Sequence, residues 1–178
     1  MKKALFLDRD GVINEDSGYV YRQEDFLFID GIFDLCHTAL NMGYLVVVIT
    51  NQAGIARGIY SEDDFHKLND WMVLEFQKRN IKISAVYFCP FHPDSGIGEF
   101  KQDSFDRKPN PGMFFKARDA LGIDLSNSVF VGDKDSDMTA GLRAGIGKLF
   151  FLHGRYPFNN KNESIIVENL EEVTKCLA

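Results

Sequence analysis

Five short apolar segments alternate with helical patterns along the chain, and this alternation restricts the folds that the sequence can adopt. The apolar segments are residues 4–7, 45–49, 85–88, 128–131 and 148–152. The helical patterns cover residues 32–41, 61–76, 110–122 and 136–144. Strands that alternate with helices are typical of a parallel sheet with helices on both faces. We therefore predict an α/β fold built on a doubly wound parallel sheet.

Capping signals indicate where two of these helices begin. Ser61 is followed three residues later by Asp64, which resembles a capping box. Asn110 is the predicted N-cap of another helix, with Pro111 as its first residue. After residue 152 we expect a loop over residues 159–162, a weak strand at 165–167 and a short helix.

Polar side chains follow three of the apolar segments directly. Asp8 and Asp10 come after the first segment, Thr50 and Asn51 after the second, and Asp133 after the fourth. Ligands bind beyond the carboxyl ends of the strands in sheets of this kind. We therefore expect these side chains to meet at one edge of the sheet.

The first of these motifs, Asp8-Arg9-Asp10-Gly11, places two carboxylates on the same side of an extended backbone. Two such charges 4 Å apart repel each other by about 4 kcal/mol at an effective dielectric constant near 20. A divalent cation between them, or protonation of one of them, would relieve that repulsion. Mg²⁺ is the usual cation beside phosphate. The alternative is a strand that ends in an ordinary polar turn.

Two further motifs suit an anionic ligand. Thr50 and the backbone amides after it could cradle an anion, although the stretch could also be a polar loop. Arg107 and Lys108 stand just before a helix N-terminus, where phosphate binds well. Their alternative is a solvated basic loop.

The segment after residue 132 carries three carboxylates at alternating positions, Asp133, Asp135 and Asp137. Such a cluster favours a bound cation, and Asp133 is the predicted metal ligand. Asp137 is either a second ligand or a structural partner. Asp135 and Asp137 could equally be solvated residues at the start of a helix, where the dipole favours them.

The composition limits the class of protein. The chain has 178 residues, 45% of them apolar, and a net charge of −6. We expect one domain over residues 1–178, which acts as a monomer. The acidic balance argues against a nucleic-acid partner. The three scattered cysteines, Cys36, Cys89 and Cys176, suit a reducing cytoplasm, and we expect neither a signal peptide nor a membrane span.

Taken together, the four motifs resemble those of the haloacid dehalogenase (HAD) superfamily of phosphotransferases, from Ala4 to about Gly145. This resemblance implies a Rossmann-like core, with Asp8 as the nucleophile and Asp10 as the acid/base. It also implies that Thr50 and Lys108 bind the phosphoryl oxygens. Mg²⁺ would be held by Asp8, the main-chain carbonyl of Asp10, and Asp133.

Longer segments resemble the heptose bisphosphate phosphatases within that superfamily. They read D-R-D-G-V-I-N, T-N-Q-A-G-I-A-R-G, R-K-P-x-P-G-M and V-G-D-K. The resemblance implies a small sugar phosphate as the substrate, an aspartyl-phosphate intermediate, and a role in making nucleotide-activated heptose for a bacterial surface glycan such as lipopolysaccharide. The substrate-binding residues would be Asp16, Ser17, Gly18, Tyr19, Thr50, Asn51, Gln52, Ala53, Arg57, Arg107, Lys108 and Lys134.

Two features concern the loops around this site. Thr50 follows Asp8 too closely in the chain to leave room for a large cap domain. The related family often has a zinc loop, but here Phe91, Ser104 and Asp106 stand where three of its four ligands would be. Cys89 and His92 remain, with Asp103 or Asp106 as weak oxygen donors. A structural zinc site needs four ligands, so we expect the loop to fold without zinc.

Two other functions fit parts of the sequence. The histidinol-phosphate phosphatases share D-R-D-G and T-N-Q with this chain. A receiver-like signalling domain also phosphorylates an aspartate at a strand end, but it has no use for an acid/base at the position of Asp10.

Overall fold

The computed structural model describes residues 1–159 and 163–178, and within them six parallel strands form one sheet. The strands are β1 (Lys3–Leu7), β2 (Tyr44–Asn51), β3 (Ile83–Cys89), β4 (Val129–Gly132), β5 (Lys148–Leu152) and β6 (Ile165–Val167). Their order is β3-β2-β1-β4-β5-β6, and every pair is parallel. After β1 the chain adds β2 and β3 on one side of that strand, and it then adds β4, β5 and β6 on the other side. The direction in which strands are added therefore reverses between β1 and β4. The α/β prediction is confirmed.

The described residues form six helices, of which five lie in the connections between strands and the sixth follows β6. They are α1 (Ile32–Asn41), α2 (Ala53–Ala56), α3 (Glu62–Gln77), α4 (Gly112–Leu121), α5 (Asp135–Ala144) and α6 (Leu170–Leu177). Between β1 and β2 the chain forms loops, one short 3₁₀ turn and α1, with no separate cap domain in the part of the chain that the structure describes. None of the helices formed by the described residues is long and apolar enough to cross a bilayer.

Alternate side chains of the central strands point to opposite faces of the sheet, and apolar residues occupy both sets of positions. Helices pack on each face and bury it. Leu5 and Leu7 of β1 belong to one core, together with buried residues of α1, α3 and α6. Ala4 and Phe6 belong to the other core, together with buried residues of α4 and α5. The doubly wound arrangement therefore follows from strands that are apolar at successive positions.

Two predicted helix starts differ in outcome. Ser61 caps α3 as expected, since its Oγ accepts the N–H of Asp64 at 3.1 Å and the Asp64 carboxylate accepts the N–H of Ser61 at 2.9 Å. The prediction for α4 is wrong by one residue, because Pro111 occupies the N-cap position. Asn110 lies one residue earlier, where its amide donates to the carbonyl oxygen of Ser104 at 3.1 Å.

The C-terminal predictions are confirmed where the structure describes the chain. The weak strand appears as β6, and the short helix as α6, whose N-cap Asn169 accepts the N–H of Glu172 at 3.1 Å. Most of the predicted loop at 159–162 lies outside the described residues. The sequence did not indicate α2 or the 3₁₀ turns at 23–25, 98–100 and 125–127.

Candidate active site

Three strand ends bring acidic and polar side chains together at the carboxyl edge of the sheet. Asp8 follows β1, Thr50 lies near the end of β2, and Asp133 follows β4. The backbone N–H of Asp8 donates to the carbonyl oxygen of Val131 at 3.1 Å, which fixes the end of β1 beside β4. Lys108 reaches this edge from the loop before α4.

Lys108 is the centre of a buried ion-pair network. Its Nζ lies 2.9 Å from Asp8 Oδ1 and 2.7 Å from Asp137 Oδ1. It also donates to the carbonyl oxygen of Ile49 at 3.0 Å. Burial alone would lower the pKa of the Lys108 ammonium, but the carboxylates of Asp137 and Asp8 outweigh it and raise that pKa. Lys108 therefore carries a fixed positive charge beside Asp8.

Asn51 positions the main chain of Lys108. Its Nδ2 donates to the carbonyl oxygen of Lys108, and its Oδ1 accepts the N–H of Lys108, both at 3.0 Å. Both ends of the amide are used, so Asn51 holds the main chain of Lys108 in place. The sequence had suggested Asn51 only as a substrate contact.

The carboxylates of Asp8, Asp133 and Asp137 each offer an oxygen within 4.8 Å of the others. Burial, and then the charges of neighbouring carboxylates, raise the pKa of both Asp8 and Asp133. Asp133 Oδ1 is buried and has no hydrogen-bond partner in the described part of the chain. A buried carboxylate oxygen without a partner, beside a second carboxylate, is a site that a hard cation such as Mg²⁺ fits.

Asp137 belongs to this cluster but is already paired on both sides. One oxygen contacts Lys108, and Oδ2 accepts the N–H groups of Asp133 and Lys134, both at 3.1 Å. Asp8 and Asp133 are therefore the side chains left to hold a metal, and Asp137 takes the role of structural partner that the sequence had left open.

Gly11 lies against the carboxylate of Asp133. A Cβ at this position would fall 2.0 Å from Asp133 Oδ2, and the backbone has φ +90°, which side chains rarely adopt. The glycine of the Asp8-x-Asp10-Gly11 motif therefore lets the turn after β1 pass over the proposed metal ligand.

Asp10 is held by a different cation from Asp8. The Arg9 guanidinium donates to Asp10 Oδ1 at 2.8 Å and to Oδ2 at 3.0 Å. The amide of Asn14 donates to Asp10 Oδ1 at 3.0 Å. Arg9 itself is buried, with the rings of Phe26 and Phe65 each 6.0 Å away. The repulsion expected between Asp8 and Asp10 is thus offset by separate partners, Lys108 and Arg9. No sequence pattern indicated the role of Arg9.

Gln52 links Asp10 to Thr50. Its Nε2 donates to Thr50 Oγ1 at 2.9 Å and to Asp10 Oδ2 at 3.2 Å, and its Oε1 accepts the hydroxyl of Tyr60. Gln52, Thr50 and Tyr60 are all buried. The ring of Tyr60 lies against Gly54, where a Cβ would come within 2.1 Å of it. Gln52 therefore orients the proposed acid/base, and the sequence missed Tyr60 altogether.

A cleft of about 500 Å³ lies beside Asp10 and Lys108. The other predicted binding residues on its wall are Asp16, Gly18, Tyr19, Asn51, Gln52, Ala53, Arg57, Arg107 and Lys134. Thr50, which is buried, and Ser17 are not part of this wall. Residues outside the predicted binding set also line it: Gly54, Tyr60, Pro109, Ser136, Arg155 and Tyr156. A larger groove of about 920 Å³ runs along the start of α3 and lacks the acidic cluster.

The loop from Phe91 to Asp106 uses its polar groups for local contacts. His92 Nδ1 accepts the N–H groups of Asp94 and Ser95 at 3.1 and 3.0 Å. Arg107 donates to the carbonyl oxygen of Phe91 at 3.3 Å, and Asp106 pairs with Lys116. These contacts show how the loop is held, and its folding without zinc stays a prediction.

Comparison with known proteins identifies the family. A family model described as HAD-hydrolase-like matches residues 105–173. A D-glycero-alpha-D-manno-heptose-1,7-bisphosphate 7-phosphatase from Burkholderia mallei is 54% identical over 86% of this chain and 81% of its own. A D-glycero-beta-D-manno-heptose-1,7-bisphosphate 7-phosphatase from Vibrio cholerae is 45% identical over 97% of this chain and 92% of its own.

A solved structure agrees with these relatives. The D,D-heptose 1,7-bisphosphate phosphatase from B. bronchiseptica, complexed with magnesium and phosphate, superimposes with a TM-score of 0.82 at 27% identity, covering 98% of this chain and 97% of that one. The chain therefore belongs to the D-glycero-D-manno-heptose-1,7-bisphosphate 7-phosphatase family of the HAD superfamily, and it is a phosphoric monoester hydrolase.

Proposed function

We propose that this chain is a Mg²⁺-dependent phosphatase that removes the 7-phosphate of D-glycero-D-manno-heptose 1,7-bisphosphate through a phosphorylated aspartate, Asp8. The observation that carries the proposal is the pairing of the Asp8 carboxylate with buried Lys108, beside the unpartnered oxygen of Asp133. The names of the relatives supply the substrate.

Asp8 acts as the nucleophile in the first step. Its Oδ1 accepts the Arg9 N–H and the Lys108 ammonium, both at 2.9 Å, and these contacts orient the carboxylate. A carboxylate oxygen of Asp8 bonds to the 7-phosphorus while the bond from phosphorus to the sugar oxygen breaks. Asp10 gives its proton to that leaving oxygen. Forming a covalent intermediate splits one hard hydrolysis into two easier steps.

Water completes the reaction in the second step. Asp10 takes a proton from a water molecule, whose oxygen attacks phosphorus as the bond to Asp8 breaks, so that Asp8 and protonated Asp10 are restored. Asp10 lies on the wall of the cleft, where it can reach a bound ligand, and Arg9, Asn14 and Gln52 hold its carboxylate in a fixed orientation.

Positive charge around the phosphoryl group stabilises the transfer. Lys108 is fixed beside Asp8, and Mg²⁺ bound by Asp8 and Asp133, with the main-chain carbonyl of Asp10, would neutralise charge on the phosphoryl oxygens. Thr50, near the end of β2, is proposed to contact those oxygens. The metal-bound relative from B. bronchiseptica supports magnesium in this role.

The cleft suits a sugar that carries two phosphate groups. A bisphosphate carries a charge of roughly −3 to −4, taking each phosphate as about −1.5 to −2. Arg57, Arg107 and Lys134 line the cleft and offset this charge in a chain that is acidic overall. The remaining substrate contacts come from the loop 16–19 and from residues 50–53.

We also propose the setting in which the enzyme works. Residues 1–178 act as one domain and as a monomer in the cytoplasm, where they supply heptose for nucleotide activation and a surface glycan. The free thiols Cys36, Cys89 and Cys176 support a reducing compartment. No zinc is needed in the loop from Phe91 to Asp106.

Phosphate release tests both the substrate and the mechanism. Wild-type protein with Mg²⁺ is assayed in parallel on both anomers of heptose 1,7-bisphosphate, on histidinol phosphate and on fructose 1,6-bisphosphate. We expect the highest kcat/KM with a heptose anomer, and a preference for histidinol phosphate would overturn the substrate. Asp8→Asn is expected to abolish turnover, whereas the exposed control Asp119→Asn retains it. Full activity of Asp8→Asn would refute the proposed nucleophile.

A further inference from the structure

Two residues from the segment after β5 hold Asp16 at the wall of the cleft. The hydroxyl of Tyr156 donates to Asp16 Oδ2 at 2.9 Å. Arg155 donates to the carbonyl oxygen of Asp16 at 2.8 Å, and its guanidinium lies 3.5 Å from Asp16 Oδ1. The same Oδ1 accepts the N–H of Gly18 at 3.0 Å. The Asp16 side chain is only 9% exposed, so its backbone and its carboxylate are both fixed from the far end of the chain.

The segment that supplies these two residues is itself anchored on the core. The N–H of His153 donates to the carbonyl oxygen of Val167 at 2.8 Å. The ring of Phe158 packs on Phe151 with centroids 4.8 Å apart, and the N–H of Asn159 donates to the Asp135 carboxylate at 3.1 Å. Contacts before and after Arg155 and Tyr156 therefore fix the segment that carries these two side chains.

The loop that they contact needs such support. Tyr19 has φ +51°, a left-handed backbone conformation that costs about 1–3 kcal/mol and persists only where the surroundings impose it. The ring of Tyr19 lies 6.0 Å from the Arg57 guanidinium on the cleft wall. Holding Asp16 therefore also holds Tyr19 beside Arg57.

The charge of Asp16 gives a second reason for the contact. An unpaired carboxylate on this wall would repel a bisphosphate, and the Arg155 guanidinium supplies the compensating charge. Lys134 Nζ lies 4.5 Å from the centre of the Tyr156 ring, so the same segment also contacts the edge of the sheet that carries Asp133.

We propose that Arg155 and Tyr156 are positioning residues, which act through Asp16 to hold the loop 16–19 in the conformation that receives the sugar bisphosphate. This proposal rests on the proposed function for its substrate, but the loop contact itself does not depend on the substrate. The two residues act on binding and not on the bonds that form and break at phosphorus.

Hydrogen exchange tests the loop contact without any substrate. In the double variant Arg155→Gln/Tyr156→Phe, we expect the amides of Gly18 and Tyr19 to exchange about tenfold faster, while the strands keep wild-type rates. The matched control is Arg118→Gln/Tyr44→Phe, which removes the same groups from surfaces outside the cleft. Unchanged exchange in the loop, or faster exchange throughout the protein, would overturn the proposal.

Kinetics then tests what the contact does. For Arg155→Gln we expect the KM for heptose 1,7-bisphosphate to rise about tenfold with kcat within about twofold, and Arg155→Lys to recover part of the loss. The loss of kcat/KM in the double variant Asp16→Asn/Arg155→Gln should be smaller than the sum of the losses in the two single variants, because each single change already breaks the same contact between the two side chains. Additive effects, or a fall in kcat without a change in KM, would contradict a positioning role.

The two proposals fail in different ways. If loop exchange is faster in the double variant but wild-type protein hydrolyses neither heptose anomer, the role of the loop contact is supported and the proposed substrate is rejected. If the variant Arg155→Gln hydrolyses a heptose anomer with the same KM as wild-type protein, the proposed substrate is supported and the positioning role of Arg155 is rejected.

Discussion

The ammonium of Lys108 lies 2.7 Å from Asp137 Oδ1, and both side chains are almost completely buried. The other oxygen of Asp137 accepts the backbone N–H groups of Asp133 and Lys134. One carboxylate therefore fixes both the proposed phosphate-binding lysine and the turn that carries the proposed metal ligand. Asp137 does this from the first turn of α5, without itself lining the cleft.

Asp137→Asn is expected to damage both stability and activity. Removing one partner of a buried ion pair costs about 3–5 kcal/mol, which for a chain of this length corresponds to a fall in Tm of roughly 10 °C. Lys108 would then pair with Asp8 alone, so we expect kcat to fall at least about tenfold. Calorimetry and phosphate release with excess Mg²⁺ measure the two effects.

The control for this change is Asp119→Asn, which removes a carboxylate from an exposed pair with Arg118. Solvent screens an exposed pair of this kind and leaves it little effect on stability, so its Tm and kcat should stay close to wild type. If Asp137→Asn behaved like Asp119→Asn, the buried contact with Lys108 would not be important for the site.

The metal-free protein should lose stability as the pH rises. Burial, followed by neighbouring carboxylates, raises the pKa of Asp8 and Asp133 in the folded state. Above about pH 4 the unfolded chain releases protons that the folded chain retains, because free carboxyl groups titrate near 3.9. The free energy of unfolding therefore falls from that pH upward until the folded groups have also titrated. Thermal melts with EDTA between pH 4 and 9 measure this slope.

Mg²⁺ should reverse that loss, and its stabilising effect should grow with pH because it competes with protons for Asp8 and Asp133. Asp133→Asn removes one buried carboxyl group and one metal ligand together. We expect it to raise the metal-free Tm at pH 8 by about 3 °C or more and to abolish the Mg²⁺-induced shift. A lower metal-free Tm with an intact Mg²⁺ shift would show that Asp133 is not a ligand.

The succession of strands and helices along the chain could be predicted because it depends on local patterns, whereas the order of the strands in the sheet could not. The apolar segments and the capping box at Ser61 identify elements from neighbouring residues alone. The gathering of Asp8, Thr50 and Asp133 at one edge follows from the general geometry of parallel sheets. The start of α4 was misplaced by one residue, since Pro111 satisfies the local rules at either of two positions.

The partners of the site residues could not be predicted in the same way. Arg9 pairs with Asp10 only because the turn after β1 folds the buried guanidinium back, and the sequence pattern gives no sign of that direction. Arg155 and Tyr156 reach Asp16 from the opposite end of the chain. Contacts of this kind depend on where side chains point after the sheet has formed, and one sequence does not contain that information as a pattern.

Gly11→Ala tests the packing of the turn over the proposed metal ligand. A Cβ would fall 2.0 Å from Asp133 Oδ2, and φ +90° disfavours alanine. We expect the substitution to displace Asp133 and to weaken Mg²⁺ binding about tenfold or more, measured as the Mg²⁺ concentration that gives half-maximal activity. Gly43→Ala is the matched control, since it also has positive φ but nothing lies within 4 Å of its Cβ. Equal effects of the two changes would indicate backbone strain alone.

Tyr60→Phe tests how the acid/base is oriented. The Tyr60 hydroxyl donates to Gln52 Oε1, which leaves Nε2 of the same amide to donate to Asp10 and Thr50. Without the hydroxyl, the buried Oε1 loses its donor and the amide is free to rotate. We expect kcat to fall about tenfold with little change in KM, because the proposed role of Asp10 is to transfer protons at the reacting bonds and not to bind substrate.

The matched control for Tyr60→Phe is Tyr87→Phe, on the half-buried strand β3 and away from Asp10. It should keep kcat within about twofold of wild type. Because the Tyr60 ring packs against Gly54, and phenylalanine keeps the ring, the fold should survive the change and the Tm should fall by only a few degrees, about 2–4 °C. A rise in KM with unchanged kcat would instead mean that Gln52 orients the substrate and that Asp10 is held by Arg9 and Asn14 alone.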